Sequence, residues 1–251
     1  MATPMTQKPC FSLDDVAFAF RDNTPVLDIS QMSVAIGERV FVYGPSGSGK
    51  STLLGLIAGV LTPSRGAIQV LGNDLTAMSA ARRDRLRAEQ LGVIFQQFNL
   101  VPYLDLVDNV LLPCRFSSAR AERVAGTAAA RAEKARDMLA RLGLEQEMAN
   151  GQVASELSTG QQQRVAVARA LIGSPSLVIA DEPTSALDTE ARSVFIDTLL
   201  KEASDASVVF VSHDMSLASH FDSQISIAEI NNVKRKAVSG SPEPTHQLGG
   251  A

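Results

Sequence analysis

GPSGSGKST, from Gly44 to Thr52, restricts this chain more than any other stretch in it. It follows RVFVYG, a short and nearly continuous apolar run that reads as a buried central strand. It precedes KSTLLGLIAGV, whose apolar residues recur at helical spacing. A G-x-x-x-x-G-K-[ST] run between a strand and a helix is a loop that wraps a phosphate. Gly44, Gly47 and Gly49 let the backbone turn tightly, so that several N–H groups converge on one anionic centre. Pro45, Ser46 and Ser48 complete the turn, and the start of the helix adds the positive end of its dipole. Lys50 is the only cation in the loop and is placed to reach β- and γ-phosphates; the Ser51 hydroxyl is placed to ligate Mg²⁺, with Thr52 next to it. A glycine-rich turn that binds nothing would not require the flanking strand and helix.

The rest of the chain alternates in the same way. FSLDDVAFAF, AIQVLG, LGVIFQQ, SLVIADEP, SVVFVSHD and QISIAEI read as strands, and EARSVFIDTLLKEA as a helix between two of them. Such alternation implies an α/β fold with a mostly parallel sheet covered on both faces. The helix-favouring RVAGTAAARAEKARDMLARLGL interrupts it, which predicts an inserted helical subdomain over roughly residues 97–172 of a single domain spanning 1–232. From 233 to 251 the chain is rich in Ser, Gly and Pro without periodicity and is expected to be a disordered tail. No internal repeat is present, so each chain carries one set of nucleotide motifs.

Charge and cysteine content remove several function classes. A formal net charge of −4 gives no basic field for nucleic acid. Cys10 and Cys114 are far apart and lack zinc-site spacing, which points to free thiols. MATPMTQKPC lacks the apolar core of a signal peptide, and no apolar run is long enough to span a bilayer. A role at a membrane is therefore expected to run through a partner.

LVIADEPTSALD puts two carboxylates at the C-terminal end of an apolar strand, the edge at which open α/β sheets bind ligands. Asp181 suits a metal through water, and Glu182 suits the polarisation of an attacking water. His213 ends VVFVSHD, a strand expected beside that of Asp181, within reach of a γ-phosphate or the water. Gln96 and Gln97 end a further strand where the helical insert begins; spacing alone does not choose between them. His220 and His246 have no comparable setting.

In order, the phosphate loop, VIFQQF, LSTGQQQR, LVIADEP, SALD and VSHD make the chain resemble the ATP-binding subunits of ABC transporters, from about Phe11 to Ile230. The resemblance implies a phosphate-loop NTPase fold with an antiparallel N-terminal β portion. It implies ATP and Mg²⁺ as ligands. It also implies a head-to-tail homodimer that encloses two ATP molecules and drives a separate integral membrane permease, from the cytoplasmic face of the inner membrane. In that frame Phe20 takes the place of the aromatic that stacks on adenine, where tyrosine is commoner. Gln96 is the glutamine-loop residue, which touches the metal. Ser158, Gly160 and Gln161 belong to the signature that contacts the partner's ATP. Asp181 is the metal-side acid, Glu182 the base, Ser185, Ala186, Leu187 and Asp188 the D-loop, and His213 the switch histidine. FQQFNLVPYLDLVDNVLLP and ADEPTSALD are most similar to the lipoprotein-release and macrolide-exporter branch.

One residue departs from the family pattern. Thr159 stands where the signature usually has its first glycine, and a β-branched residue tolerates positive φ poorly. A negative φ at Thr159 is the expectation, with Gly160 supplying the close approach. The alternative is a non-transport ABC ATPase of the DNA-repair or translation-factor type. The former would carry a long coiled coil between phosphate loop and signature, whereas roughly a hundred residues without sustained heptads separate the two here. The latter would carry two ATPase units. A binding module with a dead site is opposed by Lys50, Asp181, Glu182 and His213.

Overall fold

A computed structural model describes residues 9–20, 24–185, 187 and 189–233, with the backbone alone for 189 and 190. Ala186, Asp188, His246 and all but the first residue of the 233–251 stretch expected as a tail lie outside them.

Two sheets carry the fold. The first is antiparallel: β1 (Pro9–Ala19) lies between β2 (Pro25–Ala35) and β4 (Arg65–Val70), and β5 (Asn73–Asp74) closes the edge. The second is parallel, in the order β6 (Leu91–Ile94), β7 (Leu177–Asp181), β8 (Ser207–Ser212), β3 (Arg39–Tyr43), β9 (Ser223–Ser226).

Successive residues of a strand face opposite sides of its sheet. Val40 and Val42 of β3, Leu177 and Ile179 of β7, and Val209 and Val211 of β8 pack against β1, β2 and α1 (Lys50–Ile57). Phe41, Val178, Ala180, Val208 and Phe210 face the other way, onto α7 (Thr159–Leu171) and α8 (Thr189–Glu202). Both faces are covered, which is why these strands are apolar throughout rather than alternating. Phe41, Phe210 and Phe221 form a buried aromatic group with centroids 5.1–6.2 Å apart.

Between β6 and β7 the chain is helical: α3 (Leu106–Phe116), α4 (Ser118–Val124), α5 (Ala128–Arg141), α6 (Glu145–Ala149) and α7. The helix-favouring stretch is broken at 125–127, where the Thr127 hydroxyl accepts the Ala130 N–H and starts α5 afresh. Arg120 of α4 is 2% exposed. Its guanidinium donates to the carbonyls of Ala170 and Ile172 at the end of α7, and of Ala88 and Leu91 where α2 (Ala80–Gln90) meets β6. A cation at a helix C-terminus is favourable, and these oxygens replace the water it has lost; burial still pushes its pKa down to about 10.

QISIAEI is not one strand. β9 ends at Ser226, and a single helical turn, α9 (Ile227–Ile230), follows. Ile227 is fully buried beneath the phosphate loop, and Asn231 binds back to Val26 O and Ser48 O through Nδ2, which a continued strand would forbid.

Candidate functional site

The phosphate loop joins β3 to α1. Gly49, at the N-cap of α1, has φ 101°, and a Cβ there would lie 2.7 Å from Leu27 Cδ2. A Cβ on Gly44 would lie 2.3 Å from Ile227 Cγ2. Both positions therefore exclude a side chain by contact as well as by backbone preference. Within the loop, Lys50 Nζ donates to Gly44 O at 2.9 Å and Pro45 O at 3.2 Å, and lies 3.4 Å from Glu182 Oε1. The buried Ser48 hydroxyl has no hydrogen-bond partner among the described residues. An orphaned buried hydroxyl in a loop of this shape fits a ligand that brings oxygen atoms.

Parallel β7 and β8 bring the acids and the histidine to the same edge. Asp181 is the last residue of β7 and accepts from the Ser51 hydroxyl. Burial raises its carboxyl above the usual range, the Ser51 bond and Lys50 oppose that, and the charge of Glu182 adds to it. Glu182 follows with φ 45°, a left-handed conformation costing a residue with a side chain about 1–3 kcal/mol. Its Oε2 lies 3.5 Å from Nδ1 of the exposed His213, so one carboxylate bridges Lys50 and the histidine.

Lys50 and Glu182 open on a cavity of about 500 Å³, with Asp181 and His213 just behind its wall through Ser51 and Glu182. Its walls are Ser46, Gly47 and Gly49 to Thr52, with Phe20 and Val26 at one part and Gln96 and Glu182 at another. Phe20 is 53% exposed and meets Phe18 edge-on at 5.2 Å. Gln96 lines the cavity and its neighbour Gln97 does not, which favours Gln96 of the pair that spacing left open. Two cavities of about 610 and 650 Å³ lie in the helical insert and beside α2 and β6, and neither is lined by the phosphate loop, Asp181, Glu182 or His213.

Ser158, Gly160 and Gln161 are not at this cavity. They form the start of α7. The Ser158 hydroxyl accepts the Gln161 N–H at 3.3 Å, and Gln161 Oε1 accepts the Ser158 N–H at 2.7 Å, a reciprocal cap. Thr159 is the first residue of the helix and its φ is not positive. Space around Gly160 is open. Of the D-loop, Ser185 is exposed and Leu187 half-buried.

Two contacts had no signal in the sequence. Gln163, inside a glutamine run, donates from Nε2 to Pro183 O at 2.8 Å in a buried position. Arg169, at the other end of α7, donates to the carbonyls of Phe98 and Asn99, both at positive φ just after Gln96.

A parallel sheet with a phosphate loop at the end of one strand and acids at the end of another, one strand apart on the same edge, defines a nucleoside-triphosphate-hydrolysing fold. The family model described as ABC transporter matches residues 27–185. The chain is 40% identical over 202 residues to the ABC transporter ATP-binding protein YtrE of Bacillus subtilis, a match covering 79% of this chain and 84% of that protein. It is 34% identical over 230 residues to the lipoprotein-releasing system ATP-binding protein LolD of Pseudomonas fluorescens, covering 90% and 97%. It is 35% identical over 232 residues to the macrolide export ATP-binding/permease protein MacB of Pasteurella multocida; there the match covers 90% of this chain and only 34% of that longer protein. The dimeric post-hydrolysis structure of the ATP-binding cassette MJ0796, bound to ADP and Pi, superposes with a TM-score of 0.75 at 33% identity, covering 86% of this chain and 93% of that one. The chain belongs to the ABC transporter ATP-binding family and is an ATP-binding, ATP-hydrolysing transporter subunit.

Proposed function

We propose that this subunit hydrolyses ATP at the cavity beside Lys50, in a homodimer that drives a separate membrane permease. The observation that carries the chemistry is Glu182 held between Lys50 and His213 where β7 and β8 end. The loop from Gly44 to Thr52 holds the phosphates with its N–H groups and with Lys50, which exchanges its bonds to Gly44 O and Pro45 O for phosphate oxygens. Phe20 supports the adenine. Glu182 accepts the proton of the attacking water, and His213 orients that water or the terminal phosphate. Ser51, Asp181 and Gln96 hold Mg²⁺. A hydroxyl, a carboxylate and an amide oxygen suit this hard cation, which binds through few protein ligands and substrate phosphates. When bound, Mg²⁺ neutralises charge on the phosphate oxygens.

Ser158, Gly160 and Gln161, with Ser185, Ala186, Leu187 and Asp188, face the ATP held by the second copy. The exposed start of α7 supports this, because the N–H groups of a helix's first turn have no intrahelical acceptor and attract anions. The dimeric MJ0796 cassette supports the assembly. The helical insert, roughly 97–172, relays the motion to the permease. Among the described residues no helix is long and apolar enough to cross a membrane. Attachment through permease subunits, on the cytoplasmic face of the inner membrane, accounts for this together with the transporter relatives. The lipoprotein-release and macrolide-export branch is the narrower assignment, supported by relatives in both groups at 34–38% identity.

Glu182→Gln tests the proposal. The amide keeps the shape and loses the base, so hydrolysis falls by about 10²–10⁴-fold while ATP still binds. The variant then accumulates as an ATP-bound dimer, read by size-exclusion chromatography with light scattering. A variant that stays monomeric at saturating ATP, while wild type dimerises, contradicts the assembly.

A further inference from the structure

The left-handed backbone of Glu182 persists only if its surroundings hold it. Inside the turn, Ser185 N–H donates to Glu182 O at 3.2 Å and Leu187 N–H to Thr184 O at 3.1 Å. Those bonds shape the turn without fixing it to the rest of the molecule. On the sheet side, Glu182 N–H donates to Val211 O at 3.0 Å. Pro183 has no N–H, so the peptide joining it to Glu182 offers only the Glu182 carbonyl, which Ser185 already holds inside the turn; the hold from outside falls on the next carbonyl, that of Pro183. That carbonyl accepts from Gln163 Nε2 at 2.8 Å. Gln163 is 2% exposed, so water does not compete for the bond.

We propose that Gln163 is a positioning residue for hydrolysis: by holding the Pro183 peptide from α7, it keeps the Glu182 carboxylate between Lys50 and His213. The proposal rests on the role given above to Glu182. Gln163 does not line the nucleotide cavity, so its effect falls on turnover and not on ATP binding. It also sits about 7.5 Å along α7 from Ser158, at 1.5 Å of rise per residue. A displacement of the exposed start of that helix is thus delivered directly to the turn that aims the base.

Gln163→Met keeps the length of the side chain and removes the donor. In the purified full chain, kcat falls about 10–100-fold, the cost of a small misplacement of a reacting group. KM, and affinity for a fluorescent ATP analogue, change less than about threefold, the split expected when an interaction is made only in the transition state. Added to Glu182→Gln, Gln163→Met lowers the single-turnover rate no further, because there is no base left to aim. Losses that multiply in the double variant, or affinity that falls along with kcat, overturn the proposal. So does wild-type kcat. Circular dichroism checks folding; if the methionine variant does not fold, Gln163→Leu, which is similar in volume and has no donor, is measured in the same way. If Glu182→Gln alone turns over at near the wild-type rate, the role of Glu182 itself is wrong. If Glu182→Gln is slow and Gln163→Met is normal, only the role of Gln163 falls.

Discussion

Two helix starts in this molecule are built on opposite plans. α1 begins at the left-handed Gly49 with no side-chain cap, and its loop buries an unpartnered Ser48 hydroxyl. α7 begins at Ser158 with a reciprocal cap, and Gln161 Nε2 is further tied to Glu147 Oε1 at 2.5 Å. The first is left for a ligand to complete. The second is shaped in advance by its own side chains, which take up the Ser158 and Gln161 N–H groups and leave the rest of its first turn facing outward. A single chain therefore holds its own phosphate site in a form that awaits ATP, and holds ready the surface proposed to meet the other copy's ATP.

Lys50→Ala is the strongest way to break this contrast. Loss of the loop's cation costs on the order of 10²-fold or more in hydrolysis and weakens ATP binding, measured by steady-state turnover and by loss of the ATP-dependent rise in melting temperature. Near-normal turnover would remove the phosphate loop from the mechanism. Gln96→Ala tests the boundary between the two regions, because Gln96 lines the cavity just before the helical insert. ATP affinity stays nearly unchanged, and turnover of the permease complex falls several-fold more than that of the isolated subunit, which loses one of its Mg²⁺ ligands. An equal fall in both makes Gln96 catalytic and not a coupling residue. Thr159→Gly gives the smallest effect. Thr159 already has helical backbone, so glycine relieves no strain. It loosens the unfolded chain by about 0.4–1 kcal/mol, a drop of about 1–4 °C in melting temperature at constant turnover. Faster turnover would mean that the threonine restrains closure.

What the sequence made legible follows the same division. Gly44 to Thr52, Asp181, Glu182 and His213 could be read because each follows an apolar run that only a buried strand explains, and parallel strands place their ends together. α2 went unread: AARRDRLRAEQ buries no residue, so it has no apolar period to detect. β2 also went unread, although its burial does alternate in part. The conformation of Glu182 left no trace either, since glutamate is not among the residue types, such as glycine and asparagine, that signal positive φ. Gln163 and Arg120 were hidden for a related reason. A polar side chain inside a helix looks solvated until the structure shows which distant carbonyl it holds.

The strand order has a consequence for how the molecule is made. β3, which carries the phosphate loop, has β8 on one side and β9 on the other, and these strands come from residues 207–212 and 223–226. At a synthesis rate of about 5–20 residues per second, β3 waits on the order of 10–30 s after its own translation for either neighbour to exist. The helices of the insert, whose contacts are local, can close during that interval. The nucleotide motif that is read early thus becomes structure late, and a nascent chain does not acquire its ATP site until β8 and β9 have left the ribosome.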